Sequence, residues 1–280
     1  MASAYFFGFH LGNSWRMLNL LDRYFRYNPS ELKNSKEIDI IDLGAGTGSA
    51  THSVCSYLMA LDSNKKVNSF IVDRSKNLLD KAVLVNEDHK PKKIVCSLEE
   101  YFLRPNRGSI PQIYILSYIC NELLKDRIFK KKFLNQLKSK TLKKEEFYIF
   151  LIDSAHENFF DSIVGFRNEL VDHELKIHFP CPSSSVCPAS IPKKFKDRCF
   201  SNPQHQPPSL LKKHQEKYKN THRYDFSGYV FSSIKPEHKI PEKVIGQIGH
   251  QNFLVCNGKN IENTKIKISN YSRCMDFSKD

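Results

Sequence analysis

Residues 38–50 read IDIIDLGAGTGSA, an apolar run that enters a glycine-rich turn and then opens a helical segment. A short apolar run bounded by glycines is typical of a strand that is buried on both faces. Glycines let the backbone turn tightly and approach a ligand closely, and the amides that begin the following helix attract an anionic group. The stretch therefore predicts a strand, a ligand-binding turn and a helix.

Strands and helices alternate along the rest of the chain. Apolar spacing predicts helices over residues 13–27, 49–61, 75–85, 121–137 and 156–176. Apolar runs predict strands over residues 38–43, 67–72, 94–96, 112–117 and 147–152, a late pair over 224–234 and 252–255, and an edge strand over 264–268. This order predicts an α/β fold with a doubly wound, mostly parallel, seven-stranded methyltransferase (Rossmann-like) sheet and a cysteine-rich insertion after the fifth strand.

The glycine turn has the spacing G-x-G-x-G, which differs from the G-x-G-x-x-G of dinucleotide-binding folds. Asp73 ends the second predicted strand, where a carboxylate can accept both hydroxyls of a ribose. The combination favours S-adenosylmethionine as the ligand, and the alternative is a degenerate fold that binds no ligand. The candidate cofactor-binding residues are Asp42, Gly44, Ala45, Gly46, Thr47, Gly48, Asp73, Ser97, Leu98, Ser117 and Tyr118.

The end of the fourth predicted strand is the usual place for catalytic loops in such sheets. The segment there, ILSYICNELL, has neither an Asn/Asp-Pro-Pro-aromatic tetrad nor a Pro-Cys pair. Base N-methylation by the tetrad route and cytosine methylation by a cysteine nucleophile therefore lack support. Tyr118 and Glu122 stand at this position, but packing and helix capping explain them at least as well, so catalytic residues stay unassigned.

Three cysteines, Cys181, Cys187 and Cys199, lie in the proline-broken loop 178–210. Thiolates bind zinc and iron–sulfur clusters well, and proline stiffens the backbone beside the first two. Zinc modules have closer cysteine pairs, so the spacing fits a cluster somewhat better than zinc. By spacing alone, three unrelated thiols remain an equal alternative. The candidates for a fourth ligand are Cys256, which we favour, and His178, His205 and His214.

The net charge is +13 over 280 residues, and such a basic balance favours a polyanionic partner such as nucleic acid. Lysine-rich stretches at 130–132, 138–144 and 212–219 are candidates for phosphate contacts, although solvated helix faces look the same. No apolar run reaches the roughly 18 residues of a membrane helix, and no secretory signal is expected. The 8 cysteines are therefore expected to be thiols or ligands rather than disulfides.

Several segments resemble, in order over residues 35–260, the methyltransferase-like proteins of small-ribosomal-subunit assembly. That family includes methyltransferase-like protein 17 of mitochondria and its fungal and bacterial relatives. The matching segments are DLGAGTGSA, PQIYILSYICNELL, FLIDSAHENFFDSIVGFRNEL, PCPSSSVCP with Cys199, FSGYVFSSIKP and VIGQIGHQNFLVCNG. One departure follows the fifth strand, where residues 153–156 read DSAH in place of a Glu-Pro-Gly-Thr type turn.

The resemblance implies a protein that binds the small ribosomal subunit and its rRNA during assembly. It implies S-adenosylmethionine in a methyltransferase fold and a four-iron four-sulfur (4Fe-4S) cluster on Cys181, Cys187, Cys199 and Cys256, with zinc as the alternative metal. An active RNA methyltransferase and a zinc-stabilised methyltransferase of small molecules are the other hypotheses. We expect a monomer apart from the ribosomal particle, mitochondrial in a eukaryote and cytoplasmic in a bacterium, with no membrane partner.

We expect the chain to have three parts, of which only the central one rests on the resemblance. Residues 1–34 form an N-terminal helical segment, and residues 35–260 form the S-adenosylmethionine-dependent methyltransferase-like domain that contains the cysteine loop. Residues 261–280 form a polar C-terminal tail.

Overall fold

The computed structural model describes residues 9–30, 32, 35–102, 110–190, 199, 209, 212–213, 225–238, 243–249 and 252–265. Within these residues the helices are α1 (Leu11–Tyr27), α2 (Ser49–Leu61), α3 (Lys76–Val85), α4 (Leu98–Phe102), α5 (Cys120–Lys125), α6 (Arg127–Leu142) and α7 (Glu157–Asp172). The strands are β1 (Glu37–Leu43), β2 (Lys66–Asp73), β3 (Lys92–Val95), β4 (Gln112–Ser117), β5 (Phe147–Ser154), β6 (Lys176–Phe179), β7 (Phe226–Ser232), β8 (Lys243–Gly249), β9 (Asn252–Cys256) and β10 (Ile261–Lys265).

Seven strands form the main sheet, in the order β3-β2-β1-β4-β5-β7-β6. The first five are parallel, and β7 runs antiparallel to both β5 and β6. This order, with one reversed strand near the edge, confirms the predicted methyltransferase-type α/β sheet. The order also reverses direction at β1, so the ends of β1 and β4 form a crevice where ligands bind in such folds.

Both faces of the main sheet are buried, as parallel strands require. The side chains of β5 alternate between two apolar clusters, with Phe147, Ile149 and Leu151 on one face and Tyr148, Phe150 and Ile152 on the other. Helices α5, α6 and α7 cover the first face, and α1 and α2 cover the second. Helix α1 contributes four fully buried side chains to the second cluster, namely Met17, Leu20, Leu21 and Tyr24.

The late strands differ from the sequence prediction. The partners of β7 are β5 and β6, not the strand that contains Cys256. Helix α7 ends at Asp172, before the predicted end at 176, because Glu174 has a left-handed φ of 71° and leads the chain into β6, which was not predicted. The cysteine loop therefore follows β6, the sixth strand, rather than the fifth.

A second, three-stranded antiparallel sheet holds the end of the described chain, in the order β10-β9-β8. The segment 252–255, predicted as a strand of the main sheet, is the central strand of this small sheet. Strand β8 lies between the two late predicted strands, where no strand was predicted, and β10 overlaps the predicted edge strand 264–268. The predicted C-terminal tail, residues 261–280, thus begins with a paired strand.

Candidate functional site

A cavity of about 520 Å³ lies at the carboxyl ends of β1, β2, β3 and β4. This volume is within the range of about 300–1,000 Å³ that is typical of small-molecule sites. Seven of the predicted cofactor-binding residues line the cavity, namely Gly44, Gly46, Asp73, Ser97, Leu98, Ser117 and Tyr118. The remaining four, Asp42, Ala45, Thr47 and Gly48, lie outside its lining.

The glycine turn is fixed by the neighbouring strand. One carboxylate oxygen of Asp73 accepts a hydrogen bond from the Gly46 amide at 3.0 Å, and the other accepts from the Ser75 amide at 2.7 Å. Gly44 has a φ of 70°, and a Cβ at this position would overlap the Cδ1 atom of Ile119. Both the backbone angle and the packing therefore require glycine at position 44.

Three of the predicted residues that do not line the cavity stabilise the glycine turn through contacts with the rest of the fold. Buried Asp42 accepts hydrogen bonds from the Thr51 amide and, at 2.6 Å, from the Thr51 hydroxyl, which ties β1 to α2. The Thr47 hydroxyl is 3.0 Å from Nδ1 of His10, just before α1. Gly48 begins α2 with a φ of 72°, and a Cβ there would lie 2.7 Å from Nδ2 of Asn86. These residues hold the shape of the turn rather than the cavity wall.

Burial raises the pKa of Asp42 to about 6, although the two hydrogen bonds from Thr51 act in the opposite direction. The buried carboxyl is thus a weaker acid than an exposed aspartate. Burial and, to a smaller extent, the neighbouring His52 together lower the pKa of His10 to about 4. The Thr47–His10 contact is therefore formed by a neutral imidazole at neutral pH.

The opposite wall of the cavity is formed by the ends of β3 and β4. Ser97 caps α4: its hydroxyl accepts from the Glu100 amide at 3.1 Å, and Glu100 accepts from the Ser97 amide at 2.8 Å. Tyr118 has a φ of 57°, a conformation that is costly for a residue with a side chain and that clusters at functional sites. The guanidinium of Arg16 lies 5.8 Å from the centre of the Tyr118 ring.

Charge in this cavity is mainly negative. Four acidic residues line it, namely Asp73, Glu99, Glu122 and Asp126, against one basic residue, Arg74. Arg74 and Glu122 face each other at 3.9 Å, but both are largely exposed, so their attraction contributes little. Such a lining suits a positively charged ligand better than the phosphate backbone of a nucleic acid.

The turn after β5 has structural contacts. One oxygen of Asp153 accepts from the Cys120 amide at 3.3 Å, and the other accepts from the Ser154 amide at 2.7 Å. Nδ1 of His156 accepts from the Asn158 amide at 3.3 Å and so caps α7. The residues that replace the family's usual turn thus connect β5 to the starts of α5 and α7.

A second, small cavity of about 20 Å³ lies between α7, the cysteine loop and the β9–β10 hairpin. All four predicted metal ligands line it: Cys181, Cys187, Cys199 and Cys256. They come from the β6–β7 connection and from the end of β9. Cys187 and Cys199 also pack against Phe160 and Val164 of α7. The fold therefore brings Cys256 to the three thiols of the cysteine loop.

The alternative ligands are not brought to this cavity. His178 is fully buried on β6, where Nε2 lies 3.0 Å from the carbonyl oxygen of Ile234. His205 and His214 lie outside the described residues. Among the parts of the chain that the structure describes, no group of three or more His, Cys, Asp or Glu side chains is arranged to hold a metal ion.

Burial raises the pKa of the Cys181 thiol to about 12, although the Arg167 guanidinium nearby lowers it. Burial also raises the pKa of Cys187 and of Cys256. Without a bound cation these three thiols are therefore protonated at neutral pH. A metal that binds here displaces their protons, which makes its affinity dependent on pH.

Sequence reasoning missed two cations at this second cavity, Arg167 and Lys243. Arg167 is 2% exposed and donates hydrogen bonds to the carbonyl oxygens of Ser183, at 2.8 Å, and Ser185. Lys243 Nζ donates to the sulfur of Cys199 at 3.1 Å. The only signal for Arg167 was its position in line with Phe160 and Val164 on α7, where an apolar residue was expected.

The basic stretches are only partly available to a partner. Lys130 pairs with Glu169 at 2.6 Å, and Lys140 is buried, where it donates to Glu145 at 2.8 Å. Arg127, Lys131 and Lys138 are exposed at helical spacing on α6. Of the stretch 212–219, only residues 212–213 are described, and both are exposed. No helix in the described ranges is long and apolar enough to span a membrane.

The strand order, the glycine turn and the cavity at the carboxyl ends of four strands define a methyltransferase-like α/β protein. The family described as "Mitochondrial small ribosomal subunit Rsm22" matches residues 30–260. Because the match covers most of the 280 residues, the chain belongs to the Rsm22 family. This membership confirms the resemblance that the sequence motifs indicated.

Solved methyltransferases are similar at low identity. An S-adenosylmethionine-dependent methyltransferase from Clostridium acetobutylicum is 16% identical, with 53% of each chain covered and a TM-score of 0.33, so the similarity spans about half of that protein. A TehB-like methyltransferase from Corynebacterium glutamicum is 13% identical, with 77% of this chain and 86% of that chain covered and a TM-score of 0.38. An rRNA methylase from Streptococcus thermophilus is 11% identical, with 78% and 93% covered and a TM-score of 0.34.

No curated protein matches the chain. The strand order of the main sheet establishes the fold.

Asp42 predicts a pH dependence of stability. Its folded pKa of about 6 exceeds the ordinary value of 3.8, so the native chain binds more protons between these values and stability falls as the pH rises through them. Asp42→Asn keeps an acceptor for Thr51 and removes this titration. We expect the variant to gain about 3 kcal/mol on the wild type between about pH 4 and pH 7. Urea unfolding at several pH values measures the difference, and a difference that does not change with pH contradicts the prediction.

Proposed function

We propose that this chain carries S-adenosylmethionine and a 4Fe-4S cluster and binds the small ribosomal subunit and its rRNA during subunit assembly. The observation that carries the proposal is the convergence of four thiols, Cys181, Cys187, Cys199 and Cys256, on one buried cavity. Three of these thiols share one loop, and the fold brings the fourth, Cys256, to the same cavity from a distant strand. The description of the family supports the small subunit as the partner and mitochondria as the compartment.

The donor set suits a cluster. Four cysteines and no carboxylate line the second cavity, and thiolates are the ligands that iron–sulfur clusters and structural zinc share. Cys181 and Cys187 are further apart in sequence than the usual pairs of zinc modules, which favours the cluster. Zinc on the same four cysteines is the alternative.

The larger cavity supports S-adenosylmethionine as the ligand. Its lining joins a tight glycine turn to Asp73 at the end of β2, where a ribose hydroxyl can bind. The acidic lining is compatible with the positive sulfonium and amino groups of this ligand. The same lining disfavours a phosphate backbone near the reactive end, so we propose weak or absent methyl transfer to RNA. Active RNA methylation is the alternative, with no catalytic residue assigned.

The exposed basic side chains Arg127, Lys131 and Lys138 on α6 support contact with rRNA. Positive side chains bind phosphates and release counterions, so such binding weakens as salt rises. We propose that the chain is a monomer that associates with the ribosomal particle through this face.

Metal and sulfide analysis tests the cluster. After anaerobic purification we expect a coloured protein with about four iron and four sulfide per chain. Cys187→Ala should lose most of both, because it removes one of four ligands. Cys55→Ala, which removes a buried thiol on α2, should keep them. A colourless wild type that holds stoichiometric zinc would show that the metal is not a cluster.

Calorimetry with S-adenosylmethionine tests the larger cavity. Gly44→Ala should weaken binding at least about tenfold, because Gly44 has a φ of 70° and its Cβ would displace Ile119 from the cavity wall. The matched control is Gly165→Ala on α7, where an added Cβ meets nothing within 4 Å. Absence of heat with the folded wild type would indicate a degenerate cavity.

Sedimentation with small ribosomal subunits tests the partner. We expect the wild type to co-sediment at low salt and to dissociate as salt rises from about 50 to 200 mM. The double variant Lys131→Glu/Lys138→Glu should dissociate at lower salt. Lys36→Glu, an exposed lysine ahead of β1, is the control. Binding that is equal in the double variant and the control contradicts the proposed face, and a wild type that stays at the top contradicts the partner.

A further inference from the structure

A buried arginine holds the part of the cysteine loop between Cys181 and Cys187. Arg167 extends from α7 and donates to the carbonyl oxygens of Ser183 and Ser185, which lie between Cys181 and Cys187. It also donates to Oδ1 of Asn168, and the same oxygen accepts from the Cys187 amide at 2.9 Å. The position of both thiols is therefore set by contacts that begin at this side chain and its neighbour.

Arg167 has hydrogen-bonding capacity left over. Its Nε is buried and finds no acceptor among the described residues, while the side chain lines the four-cysteine cavity. A guanidinium cannot lose its charge inside a protein, so a buried one needs a negative partner. Among the residues that line the cavity no carboxylate is present, and the four cysteines are the groups that can become negative.

Lys243 supplies a second positive charge from the other side. It begins β8, lines the same cavity and donates to the sulfur of Cys199 at 3.1 Å. The backbone of Lys243 lies directly opposite Cys256 in the pairing of β8 with β9, and the Ser183 hydroxyl donates to the Gly258 carbonyl at 2.9 Å.

The charges balance when a dipositive metal group is bound. Four thiolates around such a group leave about two negative charges, and burying them without compensation is costly. We propose that Arg167 and Lys243 are positioning residues of the four-cysteine site: Arg167 holds the loop of Cys181 and Cys187 in its ligating shape, and Lys243 donates to the Cys199 sulfur and adjusts the electronic properties of the bound group. This inference rests on the proposed cluster and deepens it.

The test compares variants of the full chain that are purified anaerobically. Arg167→Met should shorten the half-life of the bound metal under excess chelator at least about tenfold. Arg167→Lys should restore only part of it, because an ammonium does not span two carbonyls as the guanidinium fork does. Lys243→Met should keep the metal. Because it removes a positive charge, it should lower the ratio of reduced to oxidised cluster at a fixed potential about tenfold, which is about 59 mV for one electron.

Lys259→Met is the matched control, since it removes an exposed positive charge from the β9–β10 turn beside Cys256. It should leave both the half-life and the potential unchanged. If Arg167→Met does not fold by circular dichroism, Arg167→Lys and Lys243→Met decide the question. Half-lives and potentials equal to those of the wild type in both overturn the inference.

The two proposals fail in different ways. A wild type with zinc and no sulfide contradicts the cluster alone. Arg167 and Lys243 are then tested by the half-life of the metal under chelator. The charge-transfer spectrum of the cobalt-substituted site replaces the potential. A wild type with a full cluster and unaltered variants contradicts the inference alone.

Discussion

The structure depends on the burial of both faces of the main sheet. Alternate side chains of β5 enter two different apolar clusters, so helices must cover the sheet on either side. The faces are thereby closed to ligands, and only the strand ends and the sheet edges remain accessible. The larger cavity occupies the carboxyl ends of β1 to β4, and the four-cysteine cavity lies between α7, the cysteine loop and the β9–β10 hairpin.

Helix α7 connects the sheet to the four-cysteine cavity. Ile163 and Phe166 belong to the apolar cluster of the main sheet, whereas Phe160 and Val164 pack with the cysteines. Arg167 continues this second face towards the cavity. One helix makes both sets of contacts, so the position of the thiols depends on the packing of the sheet core. The conformation of the cysteine loop therefore depends on how α7 packs against the sheet.

The sequence predicted the parts of the fold that local patterns determine. The strand, glycine turn and helix at residues 38–50 follow from an apolar run and three glycines, and the residues they predicted line or support the cavity. The residues of β9 were predicted, but its sheet was wrong because an apolar run does not reveal its partner: β9 pairs with β8 and β10 rather than β7. Arg167 was not predicted because a charged helical residue is normally exposed, and only its tertiary contacts identify it.

The order of the four cysteines along the chain has a consequence for synthesis. Cys256 is made last, on a strand whose hairpin closes with β10, whereas the other three lie in the β6–β7 connection. While the residues that follow the main sheet are still inside the ribosomal exit tunnel, three thiols of the site are in place and Cys256 is not. The four-cysteine site is therefore complete only after nearly all of the described chain has been made, so the proposed metal group would report that translation has passed the second sheet.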